Sequence, residues 1–181
     1  YKRQSDYQIG QAVADSPLGP FRKLTEEEGG LLLSALAVES QPAGETSTQA
    51  PSGTGHHSFV TAGNQTFIVY HRHRDYETAG ADRYTAIDEI KWIKNKDGLD
   101  VMYANGPTDS VQPLPETYSK YKNIAGEATV TADTGATDVG ALTDGLLSMQ
   151  KMFGFADFVK ETAITKTTSF TFDFAEAKTI R

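Results

Sequence analysis

The chain has 181 residues, 38% of them hydrophobic, with a formal net charge of −7 and no cysteine. Disulfides and thiolate metal sites are thereby excluded. No run nears the ~18–20 apolar residues of a membrane-spanning helix, and the acidic balance argues against a nucleic-acid partner, which needs clustered Lys and Arg.

Abundant Gly, Thr, Ala and Ser with short apolar runs point to an all-β protein of one ordinary domain or two small ones. Tyr7–Ala14 (YQIGQAVA) reads as a strand in which Gly10 marks a bulge or a close backbone approach. Asp15–Phe21 (DSPLGPF) is a turn punctuated by two prolines and a glycine. In Arg22–Val38 the run LLLSALAV fits a buried strand or a short helix, which periodicity cannot separate over so few residues. Glu39–Ser52 is polar and rich in Pro, Gly, Ser and Thr, a long surface loop.

Ser58–Thr61 and Thr66–His71 flank the turn Ala62-Gly63-Asn64 and predict a hairpin. Asp75–Asp82 reads as a loop. Arg83–Trp92 is a strand whose alternation puts Tyr84, Ala86, Asp88 and Ile90 on one side and Arg83, Thr85, Ile87, Glu89 and Lys91 on the other. Asn95-Lys96-Asp97-Gly98 has hairpin-turn composition, with Leu99–Tyr103 as the returning strand. Asn105–Tyr121, with three prolines and no clean period, divides the chain into 1–115 and 116–181. Beyond it, Asn123–Ala132 is a strand, Ala141–Leu147 a turn around Asp144-Gly145, and Ser169–Phe174 a strand with Phe170, Phe172 and Phe174 on one face. That aromatic face reads as a sandwich core in preference to a sugar platform. The chain opens strand-like without methionine and closes on FTFDFAEAKTIR, so it is expected to belong to a longer polypeptide.

All four histidines, His56, His57, His71 and His73, fall between Gly53 and Arg74. Imidazole suits metal binding and proton traffic near neutral pH, so the hairpin is a candidate site; the plainer reading makes these solvated or hydrogen-bonded strand residues.

Three pieces in order, YQIGQAVADSPLGPF, GTGHHSFVTAGNQTFIVYHRHR and DRYTAIDEIKW, resemble the C-terminal part of the catalytic domain of glycoside hydrolase family 43, a five-bladed β-propeller. The likeness covers Tyr7 to about Pro115. It implies the C-terminal blades of a propeller, with residues 116–181 resembling the start of a galactose-binding-like β-sandwich. By that resemblance the parent is an inverting glycosidase acting on arabinofuranoside, xyloside or galactoside units of plant-type polysaccharide, in an extracellular or periplasmic setting. Inversion uses two carboxylates about 6.5–9.5 Å apart. The family carries them on earlier blades, so no catalytic residue is expected here and the chain alone is expected to be inactive. His56 matches a histidine that holds a cation, often calcium, directly or through water at the propeller centre. Arg83 matches a pocket arginine that binds sugar hydroxyls, and His57 lines the same pocket; His71 and His73 are expected behind it or solvated. Arg83 also fits an ordinary surface ion pair with Asp82 or Glu89. The expected partners are an oligo- or polysaccharide and the N-terminal blades of the same polypeptide. Two other readings stay open: a non-catalytic carbohydrate-binding or adhesion module, and a histidine-bound transition-metal protein, which needs three convergent ligands.

Overall fold

The computed structural model describes residues 7–34, 51–73, 83–108, 111–147, 155 and 158–180. Of these, 43% lie in strands and 7% in helical turns, none reaching seven residues. The architecture is all-β, as the composition predicts, and no helix among the described residues is long and apolar enough to cross a membrane.

Its centre is a curled sheet of four antiparallel strands in the order β5-β6-β7-β8. These are β5 (Ser52–Ala62), β6 (Gln65–His73), β7 (Tyr84–Lys94) and β8 (Asp100–Ala104). Branched and aromatic residues on β6 and β7 favour extended backbone, and short turns close the meander. Between β5 and β6 the loop is Gly63-Asn64. Gly63 has φ 61°, the positive angle a two-residue loop of type II′ needs at its first position. Between β7 and β8 the Asn95 side chain organises the turn. Its Oδ1 accepts from the backbone N–H of Asp97 (3.0 Å) and Leu99 (2.9 Å), while its Nδ2 donates to the Glu28 carbonyl (3.2 Å).

Four short strands precede this sheet: β1 (Ile9–Gly10), β2 (Ala12–Val13), β3 (Arg22–Lys23) and β4 (Leu31–Leu33). β1 pairs with β4 and β2 with β3, and the register slips between Ile9 and Gly10, as Gly10 predicts. The leucine run opens as the buried-strand alternative over Leu31–Leu33, while residues 35–38 lie outside the described ones. So do most of the Glu39–Ser52 loop and all of Asp75–Asp82. Ser52 itself begins β5 rather than ending a loop.

The two faces of the central sheet hold separate cores. Ile68, Tyr70, Ile90 and Ala104 pack with Ile9, Leu32 and Leu33, and Ala86 and Met102 lean on them. On the other face Val101 and Tyr103 pack with Leu24, Phe155 and Val159. The alternation read along β7 is therefore real, Asp88 and Ile90 being buried while Thr85 and Ile87 are exposed. Gln11 ties the first strands to the edge of the sheet. Its Nε2 donates to the carbonyls of Gly29 (2.7 Å) and Met102 (2.9 Å), and its Oε1 accepts from Met102 N–H (3.1 Å). A buried side-chain amide thus satisfies backbone groups that an edge strand would leave open.

Next to it, Thr25 opens a single helical turn, Glu26–Glu28. The Glu28 carboxylate accepts from Thr25 N–H at 2.8 Å and from Arg22 Nη1 at 2.9 Å. The bond from Arg22, then that from Thr25, holds its pKa down to about 2 from an ordinary 4.5. A depressed acid stabilises the fold above its unfolded pKa and loses that contribution as pH falls through the folded one. The Arg22–Glu28 turn is therefore expected to loosen between pH 4.5 and about 2, read from the amide shifts of Thr25 and Glu28; unchanged shifts across that window would contradict the assignment.

After residue 115, β9 (Ala128–Ala132) pairs with β12 (Phe170–Phe174), and β10 (Ala136–Thr137) with β11 (Ala163–Ile164). Phe170, Phe172 and Phe174 do alternate, opposite Ala132, Val130 and Ala128. They do not form the expected sandwich core: Phe172 is 46% exposed and the other two are half-buried. The β9–β12 ribbon is a two-stranded sheet of its own, and a ribbon alone cannot enclose aromatic rings. The predicted Asp144-Gly145 turn is present, with Asp144 Oδ1 accepting Leu146 N–H at 2.8 Å and Gly145 at φ 76°. Packing also runs across residue 115. Asn105 bonds the Gly145 carbonyl (2.8 Å) and Leu147 N–H (3.0 Å), and Tyr103 donates its hydroxyl to the Leu147 carbonyl.

Candidate functional site

The histidines gather at one end of the central sheet, and irregular pairing puts them there. Ser52 pairs with His73, Gly55 with His71 and Ser58 with Val69, so β5 twice uses three residues where β6 uses two. Each excess residue is a bulge, which turns the strand and re-aims its side chains. Gly53 supplies a positive φ of 60° to the first bulge, but the second has His56 at φ 50°. Left-handed backbone costs an L-residue on the order of 1–2 kcal/mol. Such strain concentrates where a side chain must be aimed.

The two neighbouring imidazoles then take different partners. The His56 ring centroid lies 6.3 Å from that of His71, whereas His57 packs edge-on against Phe59 at 5.4 Å. His71 also meets His73 at 6.4 Å and the edge of Tyr7 at 5.7 Å. His73 is fully buried, so it is not solvated. Because His71 pairs with Thr85, strand parity puts Arg83 on the face that carries His71 and His73. Burial, followed by the charges of Arg83, His73 and His56, pushes the His71 pKa below its ordinary 6.5, so its imidazole is uncharged at neutral pH.

Among the polar atoms buried at this end, His71 Nε2 and Thr54 Oγ1 have no hydrogen-bond partner among the described residues. Buried polar atoms of this kind ask for a water, an ion or a ligand group. The site thus joins His56 and Arg83, which the motifs singled out, to His71, His73 and Tyr7, while His57 stands on the exposed flank of β5. Tyr7 opens the first of the three family-like pieces but has no site role there; its place follows from the contact of its ring with Gly55, where an added Cβ would sit 3.4 Å away.

Calcium takes six to eight oxygen ligands. The groups beside His56 among the described residues are imidazoles and a guanidinium, and this set does not by itself fit calcium. Neither does it converge on a transition metal: among the described residues no group of three His, Cys, Asp or Glu could hold an ion.

A second polar constellation lies deeper. Asp88 is fully buried and accepts from the hydroxyls of Tyr70 (2.5 Å) and Thr108 (2.5 Å) and from Thr108 N–H (3.4 Å). Burial drives its pKa above the ordinary 3.8, against the pull of these bonds. Burial beside the carboxylate likewise pushes the Tyr70 phenol up. The Gly106-Pro107-Thr108 turn wraps the carboxyl so closely that a Cβ on Gly106 would overlap it. With no access to solvent, Asp88 clamps this turn to the sheet and is not a candidate acid or base for a bound substrate.

Compared with family models, curated proteins and solved structures, the chain finds no match in any of the three.

Proposed function

We propose that this chain is part of a glycosidase resembling glycoside hydrolase family 43, and that the His56–His71–Arg83 end of the sheet lines its sugar site. The observation that carries the reading is convergence. Residues from the Gly-His-His-Ser, Tyr-His and Arg-Tyr-Thr motifs, apart in sequence, meet at one end of a four-stranded antiparallel meander. Such a meander is the unit from which propellers are built. In this reading the acid and base belong to other blades of the parent, and the present residues bind and orient. Arg83 donates to sugar hydroxyls from a rigid fork, and Tyr7 offers an aromatic edge. Calcium near His56 would draw its oxygens from water or from the rest of the polypeptide, His56 giving one ligand at most.

The parent polypeptide is expected to hydrolyse at least one of aryl arabinofuranoside, xyloside and galactoside, and the 181-residue chain to hydrolyse none. A folded parent silent on all three, or turnover by the chain alone, would overturn this. One observation favours the second reading, a non-catalytic glycan-binding module: no carboxylate among the described residues acts on His71. Glycan binding by the parent without hydrolysis would select it.

A further inference from the structure

We infer that two copies of this chain associate through β5, its outer edge pairing antiparallel with the same edge of a second copy about Val60. The inference is independent of the sugar-site reading and rests on how the two edges of the central sheet end. The β8 edge is capped at its middle residue, where Gln11 bonds both backbone groups of Met102, at 2.9 and 3.1 Å. The β5 edge has β6 on one side and no strand on the other among the described residues. From His56 to Thr61 every residue of β5 is exposed, Phe59 to 44% and Val60 to 49%. Edge strands are ordinarily guarded by charge, proline or a bulge. Ser58–Ala62 (SFVTA) carries no charge and no proline, and its pairing with β6 is regular, both bulges lying before Ser58.

The hairpin fixes which backbone groups point outward. Ala62 and Gln65 flank the two-residue loop and form its closing hydrogen-bonded pair, so the ladder to β6 recurs at Val60–Phe67 and Ser58–Val69. The N–H and C=O groups of Phe59 and Thr61 therefore face away from β6. A second copy meets them when Phe59 stands opposite the partner's Thr61 and Val60 opposite the partner's Val60. This register keeps every paired residue within the regular stretch Ser58–Ala62. No charged residue faces its like across it, although each copy carries a net charge of −7. Because β8 is capped, the contact is β5 to β5, a twofold dimer that closes at two copies.

Sedimentation equilibrium of the 181-residue chain tests this. A contact of one strand pair belongs to the small, weak class of interfaces, so the apparent mass is expected to climb from 19.7 kDa towards double between about 10 μM and 1 mM. Added salt should strengthen the dimer, because it screens two copies of like net charge. Thr61→Pro removes an outward N–H, twice over by symmetry, and leaves the ladder to β6 whole, as proline does on an edge strand. It should weaken the dimer at least about tenfold. The chain has no cysteine, so Val60→Cys supplies a second readout. It should give a disulfide-linked dimer on oxidation, since facing residues lie about 4.5 Å apart at Cα, within disulfide reach. Ser58→Cys should give at most about a tenth as much, its copy lying on the order of 13 Å away along the strand. A mass that stays at 19.7 kDa at every concentration would overturn the inference and leave the edge to a strand of another protein. Dimerisation untouched by Thr61→Pro, growth past two copies, or equal cross-linking at positions 58 and 60 would overturn it as well. None of these outcomes bears on the sugar site.

Discussion

Replacing Asp88 with alanine is expected to cost about 3–5 kcal/mol of stability, the range seen when one partner of a buried charged network is removed. The substitution leaves the Tyr70 hydroxyl and both Thr108 donors without their acceptor in a site closed to water. Orphaned donors are costly because their desolvation is no longer offset. Urea denaturation would read the loss as a lower midpoint with an unchanged slope. A change under about 1 kcal/mol, typical of a surface substitution, would mean the turn at Gly106 is held by other contacts. The pH dependence has a definite sign. The folded pKa of Asp88 is raised above 3.8, so the folded state binds the proton more tightly than the unfolded one. Its contribution is greatest below 3.8 and declines as pH rises through the folded pKa, then levels. Asp88→Asn should abolish that decline.

Phe155→Ala is expected to be comparably severe, about 3–5 kcal/mol, as for other large-to-small changes at buried aromatics. Phe155 is fully buried, stacks edge-on with Tyr103 at 4.8 Å and Phe158 at 5.1 Å, and fills one core with Leu24, Val101 and Val159. It also fits against Gly29, where an added Cβ would lie 2.8 Å from its ring. The effect should reach beyond residues near position 155. Val101 and Tyr103 belong to β8, so amide exchange along β8 should rise with the loss of the ring. Exchange confined to the second half of the chain would show instead that the two halves fold independently.

The hairpins were legible in the sequence because their causes are local. Thr66–His71 is a continuous run of branched and aromatic residues, and Asn95 and Gly98 carry the chemistry of the turn they form. The bulges of β5 were not legible: a bulge is a mismatch between two strands, and GTGHHSF does not say which residue of β6 each one will face. For the same reason the motifs gave site roles to His56, His57 and Arg83 but not to Tyr7, which opens the first motif and meets His71 only in the fold. Asp88 read as one polar residue on a strand. Its partners lie 18 and 20 positions away, and their hydroxyls, not its own neighbours, are what permit a buried carboxyl. The Phe170–Phe174 alternation correctly gave a common face, but alternation says nothing about whether another layer covers it.

Amide shift mapping of the isotope-labelled chain during titration with arabinose, xylose and galactose tests the central claim most directly. Perturbations are expected to cluster at Gly55–His57, His71–His73 and Arg83–Thr85. Perturbations on the β9–β12 ribbon, or none at any sugar concentration, would contradict a sugar site at this end of the sheet.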